Sequence, residues 1–150
     1  MSALALCAMA VTPLNPIPTA RAATSTKSII EINFTNIRNI KGKIMLCLTA
    51  QPKAFPDCSK DKEAISQIVT ANGIGTVKLV VPKGGTYAIS VIHDENSNGK
   101  MDMAIMIPKE GFGFSRNPAI GFGPPKFKSA SFTIGDGMTI KQNIKMKYML

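Results

Sequence analysis

The stretch from Met138 to Tyr148 alternates in polarity without a break, and this pattern constrains the chain more than any other feature. Ile140, Gln142, Ile144, Met146 and Tyr148 fall on one side, and Lys141, Asn143, Lys145 and Lys147 on the other. A side-chain period of two is that of a strand with one packed face and one wet face; a helix would scatter the same residues around its circumference. Similar alternation runs through Ile30, Ile32 and Phe34, and through Ile44, Leu46 and Leu48 in the strand predicted over 43–49. Further strands are expected at 75–81, closed by Pro82, at 86–92 with Tyr87, Ile89 and Val91 on one face, and at 126–134, joined to the last strand by Gly135-Asp136-Gly137. The only segment with helical spacing is 61–70, where Ala64, Ile65 and Ile68 share a side. Residues 94–125 form a long central loop rich in Gly, Pro and Asn. The expected class is all-β: an antiparallel β-sandwich of about seven strands with one short helix.

Composition fixes the surroundings. Apolar residues make up 45% of 150, too many for a disordered chain, while 12 Gly and 10 Pro punctuate it too often for a helical bundle. The first 22 residues carry an apolar run, Leu4 to Val11, then Pro13, Pro16 and Pro18, then Ala20-Arg21-Ala22. Small residues at the −3 and −1 positions predict a signal peptide over 1–22 with cleavage after Ala22, leaving 23–150 as a single domain; the missing basic start is a departure from that pattern. Leu6 before Cys7 argues against a lipid anchor, and no later segment has the roughly 18 consecutive apolar residues of a transmembrane span. A periplasmic or secreted location follows. Cys47 and Cys58 then remain as an even pair and are expected to form a disulfide, without the C-x-x-C spacing of a redox motif.

Eighteen Lys+Arg against nine Asp+Glu give a net charge of +9. Lys126, Lys128, Lys141, Lys145 and Lys147 offer weak contact with an anionic envelope surface, and nucleic acid is not the expected partner. The other reading of these lysines is a solvated face that guards an edge strand from aggregation.

One motif carries chemistry. In His93-Asp94-Glu95-Asn96-Ser97-Asn98-Gly99-Lys100-Met101-Asp102, oxygen-bearing side chains stand at positions one, three, five and nine of a Ca²⁺ loop, with Gly99 at six. The ligand set Asp94, Asn96, Asn98, Lys100 (the position-seven residue) and Asp102 is hard and oxygen-rich, which suits Ca²⁺ over transition metals. Position twelve is Ile105 where an EF-hand needs a bidentate Glu, so Glu110 or Glu95 would have to complete the shell. The same spacing also makes a self-satisfied turn, in which Asn and Asp side chains bond the backbone beyond them. A catalytic alternative makes His93 the general base of a small hydrolase, with Asp94, Asp102 or Glu110 beside it; no nucleophile accompanies it in an elbow context, since Ser97 and Ser115 lie in loops. As no catalytic constellation is complete, a binding or interaction module is favoured over an enzyme. Beyond the loop, Phe112, Phe114 and Phe122 interleave with Gly111, Gly113, Gly121 and Gly123. They read as a platform for a ligand or as anchors that pin the loop, and the burial tendency of large apolar side chains favours anchors.

Gly85-Thr86-Tyr87-Ala88, His93 to Asn96, Asn98 to Asp102 and Pro108 to Ser115 together resemble the exported bacterial domain-of-unknown-function family 2141, over roughly residues 28–148 of this chain. The resemblance implies a secreted or periplasmic sandwich with no assigned activity. The run from Gly85 to Asp102 is also similar to the strand-plus-loop of Ig-like, prealbumin-like and Cna-B-like sandwiches, a likeness of fold that transfers no function.

Overall fold

Residues 26–150 are described by a computed structural model; the expected signal peptide at 1–22 lies outside them. Alternating burial builds the core. In β1 (Ser28–Thr35), Ile30 and Ile32 point inward, and in β2 (Lys43–Thr49) Ile44, Leu46 and Leu48 do so. With Leu79 and Val81 of β4 (Val77–Val81), Ile89 and Val91 of β5 (Gly85–Asp94) and Ile144 of β10 (Thr139–Lys145) they form one cluster between two sheets. Each such side chain taken fully from water stabilises the fold by about 1.5–3 kcal/mol before ordering costs.

The first sheet has the order β10-β1-β4. The second has the order β3-β2-β5-β8, where β3 is Ile65–Thr70 and β8 is Gly111–Phe114. The N-terminal end of β5 also pairs with β9 (Phe132–Ile134), so one long strand serves two partners along the same edge. The chain is thus an all-β sandwich, and among its named pairs β1–β10 runs parallel while the others are antiparallel. A parallel pair needs a long connection, and here nearly the whole described chain lies between its two members. Beyond β10, Lys147 bridges to Phe112 of β8 through reciprocal backbone bonds of 2.8 and 3.0 Å, so the C-terminal segment ties the first sheet to the second.

Three local expectations are corrected. Residues 61–70 contain no helix: Ile65–Thr70 is the edge strand β3, with Cys47 opposite Ser66 and Met45 opposite Ile68. Four of its six residues are β-branched apolar or Thr, and alternation sends Ile65 and Val69 toward the core and Ile68 to solvent. The open edge of β2 decided between two periodicities that the short run supports equally. Residues 126–134 do not form one strand; a single helical turn, α1 (Phe127–Ala130), precedes β9. Phe127 and Ala130 pack together in one cluster, which three-residue helical spacing permits and a strand would forbid. The central loop is not wholly irregular either, since it holds the hairpin β6 (Met103–Ala104) and β7 (Ile107–Pro108) as well as β8.

Gly111 and Gly113 of β8 are explained by approach distance. A Cβ on Gly113 would sit 2.6 Å from Ile144 Cγ2, and one on Gly111 would sit 2.2 Å from Tyr148 Cε1. The glycines let the C-terminal segment cross directly over β8.

Candidate functional site

The five-stranded sheet is covered on both faces. Opposite the main core, Ala88, Phe112, Phe114 and Ala130 form a second buried cluster flanked by Phe55, Met101, Ile120 and Phe127. Cross-strand register puts Ser90 beside Phe114 and Ile92 beside Phe112 on this face. These four residues line a groove of about 510 Å³ together with Met103 and Met106 of the β6–β7 hairpin and with the loop Ile120–Pro124. Its volume falls in the range of small-molecule sites, and thioether side chains adapt to differently shaped apolar ligands.

The hairpin that contributes to this groove is conformationally costly. Its two-residue turn, Ile105-Met106, has φ of +46° and +67°, which Asn-Gly adopts readily and a β-branched residue resists. Both side chains are also in water: Ile105 is 97% exposed and Met106 89%, and Phe122 in the loop is fully exposed. The Gly/Phe segment therefore divides, with Phe112 and Phe114 as buried anchors and Phe122 as a presented ring. Sequence reasoning missed the hairpin. Its trace was the run Met103-Ala104-Ile105-Met106-Ile107-Pro108, apolar throughout in a segment otherwise polar and glycine-rich. Asp57 is the charged residue in the groove lining, whereas Lys100, Lys109 and Lys126, all exposed, each lie within two positions of a lining residue.

The Asp/Asn loop lies between β5 and that hairpin, and its side chains turn inward. Asp94, fully buried, accepts the backbone N–H groups of Asn98 at 3.0 Å and Gly99 at 2.8 Å. Asn96 Oδ1 and Asn98 Oδ1 accept the N–H groups of Asn98 and Lys100, both at 3.0 Å. The two amide nitrogens converge on Asp102 Oδ2 at 2.7 and 2.8 Å. The structure thus brings Asn96, Asn98 and Asp102 together, uses Asp94 to organise the loop, and leaves the Lys100 side chain exposed. Among the described residues, no three His, Cys, Asp or Glu side chains are grouped so as to hold a metal ion.

The two candidate closing carboxylates behave differently. Glu95 is taken by Arg38, whose Nε and Nη2 donate to its two oxygens at 2.9 and 2.5 Å, and by the amide of Asn39. The Arg38 hydrogen bonds hold the Glu95 carboxyl below the usual range against the opposing effect of burial. Glu110 comes to the loop instead: it is 4% exposed, its Oε2 accepts the Asp102 N–H at 3.2 Å, and its Oε1 is buried with no hydrogen-bond partner. Burial pushes the Glu110 carboxyl up, the Asp102 and Glu95 N–H groups oppose this, and the nearby Asp94 and Asp102 carboxylates push it further up.

His93 is 0% exposed and both ring nitrogens are engaged, Nε2 with Lys41 O at 2.8 Å and Nδ1 with the Tyr148 hydroxyl at 2.8 Å. Ser115 is likewise buried; its Oγ accepts Ile89 N–H at 2.9 Å and donates to Ala130 O at 2.6 Å. The hydroxyl serves β5 and α1. Cys47 and Cys58 form a disulfide with Cα atoms 6.4 Å apart. None of the helices in the described residues is long and apolar enough to cross a membrane.

No curated protein and no solved structure matches the chain. A family described as an uncharacterised protein conserved in bacteria matches residues 32–142, from the middle of β1 to the middle of β10. That match takes in most of both sheets, the Asp/Asn loop and the lining of the hairpin-and-loop groove apart from Met149, and on it the chain belongs to the DUF2141 family.

Proposed function

We propose that this protein is a non-catalytic binding module of the bacterial envelope, and that its groove takes the alkyl chain of an anionic amphiphile. The observation that carries the reading is the groove itself: an apolar floor of Ile92, Phe112 and Phe114 beneath Met103, Met106 and the presented ring of Phe122. A single alkyl chain suits its volume and chemistry, since contiguous exposed apolar surface of this kind marks an interaction site. The anionic head is argued from charge. Lys100, Lys109 and Lys126 adjoin lining positions, and the chain carries twice as many basic as acidic residues. A non-catalytic role is supported by the engagement of both His93 nitrogens and of the Ser115 hydroxyl in holding strands together. Location in the envelope is supported by the Cys47–Cys58 disulfide, which suits an oxidising compartment.

The test uses oleate in calorimetry and a fluorescent polyene fatty acid in titration. One saturable site per chain is expected, with affinity reduced at least tenfold in Phe122→Asp and Met106→Asp while the melting temperature stays near that of the parent. A parent protein without saturable binding, or variants that bind as the parent does, would overturn the reading. Dodecyltrimethylammonium serves as the cationic counterpart: equal affinity for it would remove the charge preference and leave only an apolar site.

A further inference from the structure

The six residues from Met103 to Pro108 are all apolar and stand between Lys100 and Lys109. Folded as the β6–β7 hairpin, they put Met103, Ile105, Met106 and Ile107 into water at 50%, 97%, 89% and 43% exposure. Ile105 lies outside the groove lining, so the shape of the groove does not account for it. It is also a β-branched residue held at a φ of +46°. A chain surrounded by water gains nothing from strain and exposure at one position. Both are explained when the tip has an apolar medium to enter.

Phe122 is a second apolar projection, fully exposed between Gly121 and Gly123 and lining the same groove as Met106. The charge that accompanies these projections has one sign. Between residues 96 and 135 the exposed charged side chains are Lys100, Lys109, Arg116, Lys126 and Lys128, all basic. The two acids of that segment are withdrawn: Glu110 is buried, and half-buried Asp102 accepts the Asn96 and Asn98 amides. Asp57, on the disulfide-bonded loop, is the exposed acid of the groove lining.

From this we propose that the β6–β7 tip and Phe122 form a docking surface for an anionic lipid bilayer, with the tip in the interface and the basic side chains against the headgroups. The base of the hairpin is closed by the Lys109 N–H donating to Asp102 O at 2.9 Å. Three residues of extended chain from that base reach about 10 Å, the depth to which apolar protein faces enter a bilayer interface. Lys100 and Lys109 flank the base, at the level of the headgroup phosphates once the tip is inserted, and attraction to anionic lipid accumulates over such a cluster. The docking surface stands without the amphiphile reading. Its consequence, that docking sets the groove against the bilayer where alkyl chains are supplied, rests on that reading.

The experiment mixes the full-length protein with vesicles of equal parts phosphatidylcholine and phosphatidylglycerol, or of phosphatidylcholine alone, in about 0.15 M NaCl, and measures cosedimentation. Binding to the anionic vesicles at least tenfold stronger than to the neutral ones is expected. Ile105→Asn, which suits the positive φ and adds no charge, should weaken it at least fivefold while oleate affinity without vesicles stays within twofold of the parent. The chain contains no tryptophan, so Ile105→Trp supplies a single reporter at the tip. Its emission should shift to the blue on anionic vesicles and be quenched by lipids brominated in the acyl chain. Absence of vesicle binding, an Ile105→Asn protein that binds as the parent does, or an unquenched reporter would each overturn the proposal. So would a concentration-dependent dimer in sedimentation velocity that Ile105→Asn abolishes, since the tip would then serve a second copy of the chain. Loss of vesicle binding with oleate binding kept sinks the docking surface alone, and the reverse sinks the groove reading alone.

Discussion

The Tyr148 hydroxyl lies 2.8 Å from His93 Nδ1, joining the C-terminal segment to the end of β5 across 55 residues of sequence. Lys41 O can only accept, so in the neutral ring Nε2 carries the proton and Nδ1 accepts from Tyr148. The phenolic oxygen in turn accepts the Arg38 N–H at 3.2 Å, and the Arg38 guanidinium sits 4.5 Å from the centroid of the same ring. One tyrosine thus organises the junction of β5, the β1–β2 connection and the C-terminal segment.

Tyr148→Phe keeps the ring and leaves the buried Nδ1 without a donor. A loss of about 1–3 kcal/mol is expected, the cost of one unsatisfied buried polar group, and urea denaturation measures it. A change below the error of the extrapolation would show that water replaces the hydroxyl.

Gly111→Ala strikes the same junction from the other side. Its Cβ would lie 2.2 Å from Tyr148 Cε1, so the ring must move and the His93 bond is expected to break. The expected loss exceeds that of Tyr148→Phe, and the double variant should be less destabilised than the sum of the two, because both act on one contact. Strict additivity in the denaturation cycle would contradict this.

The Ile105-Met106 turn predicts opposed effects on stability and binding. Replacement by Asn-Gly places residues that tolerate positive φ where Ile and Met now sit at +46° and +67°. Relief of this strain should raise stability by about 1–2 kcal/mol, read as a higher denaturation midpoint. Oleate affinity should fall at the same time, because Met106 lines the groove. A variant that gains stability and keeps its affinity would detach the turn from function.

Tyr87 and Tyr148 are the chain's two tyrosines, and burial raises the pKa of each above 10.0; Asp136 and Glu63 add to this for Tyr87, while the Arg38 N–H opposes it for Tyr148. A folded-state pKa above the unfolded one means that the stability these groups contribute is intact below pH 10.0 and is lost as pH rises through the folded values. Near-ultraviolet absorbance should therefore show no phenolate forming with an ordinary midpoint in the folded protein. A tyrosine titrating at its usual pH would place that ring in solvent.

Removing the disulfide by Cys47→Ser with Cys58→Ser opens a loop of eleven residues. Loop-closure entropy sets the expected loss at about 3 kcal/mol, measured by the shift in denaturation midpoint relative to the oxidised parent. No shift would mean that β2 and the segment before β3 hold each other without the bond.

Alternation read along the chain determined the sandwich class, the extent of β2 and the inward face of the last strand, because a period of two is a local property that survives into any sheet. Spacing around Gly99 likewise determined that the Asp/Asn loop curls inward. Tertiary structure alone decided the rest. Ile65 to Thr70 became a strand because β2 had an open edge, although the run also spaces three apolar residues for a helix. Glu110, eight positions beyond Asp102, reached the loop only because the hairpin folds the chain back on itself, while Glu95 was drawn off by an arginine 57 residues away. The groove has no linear signature of its own: its floor comes from cross-strand neighbours of β5 and β8 and its rim from two loops, and such neighbours are fixed by register and packing, which period and composition do not encode.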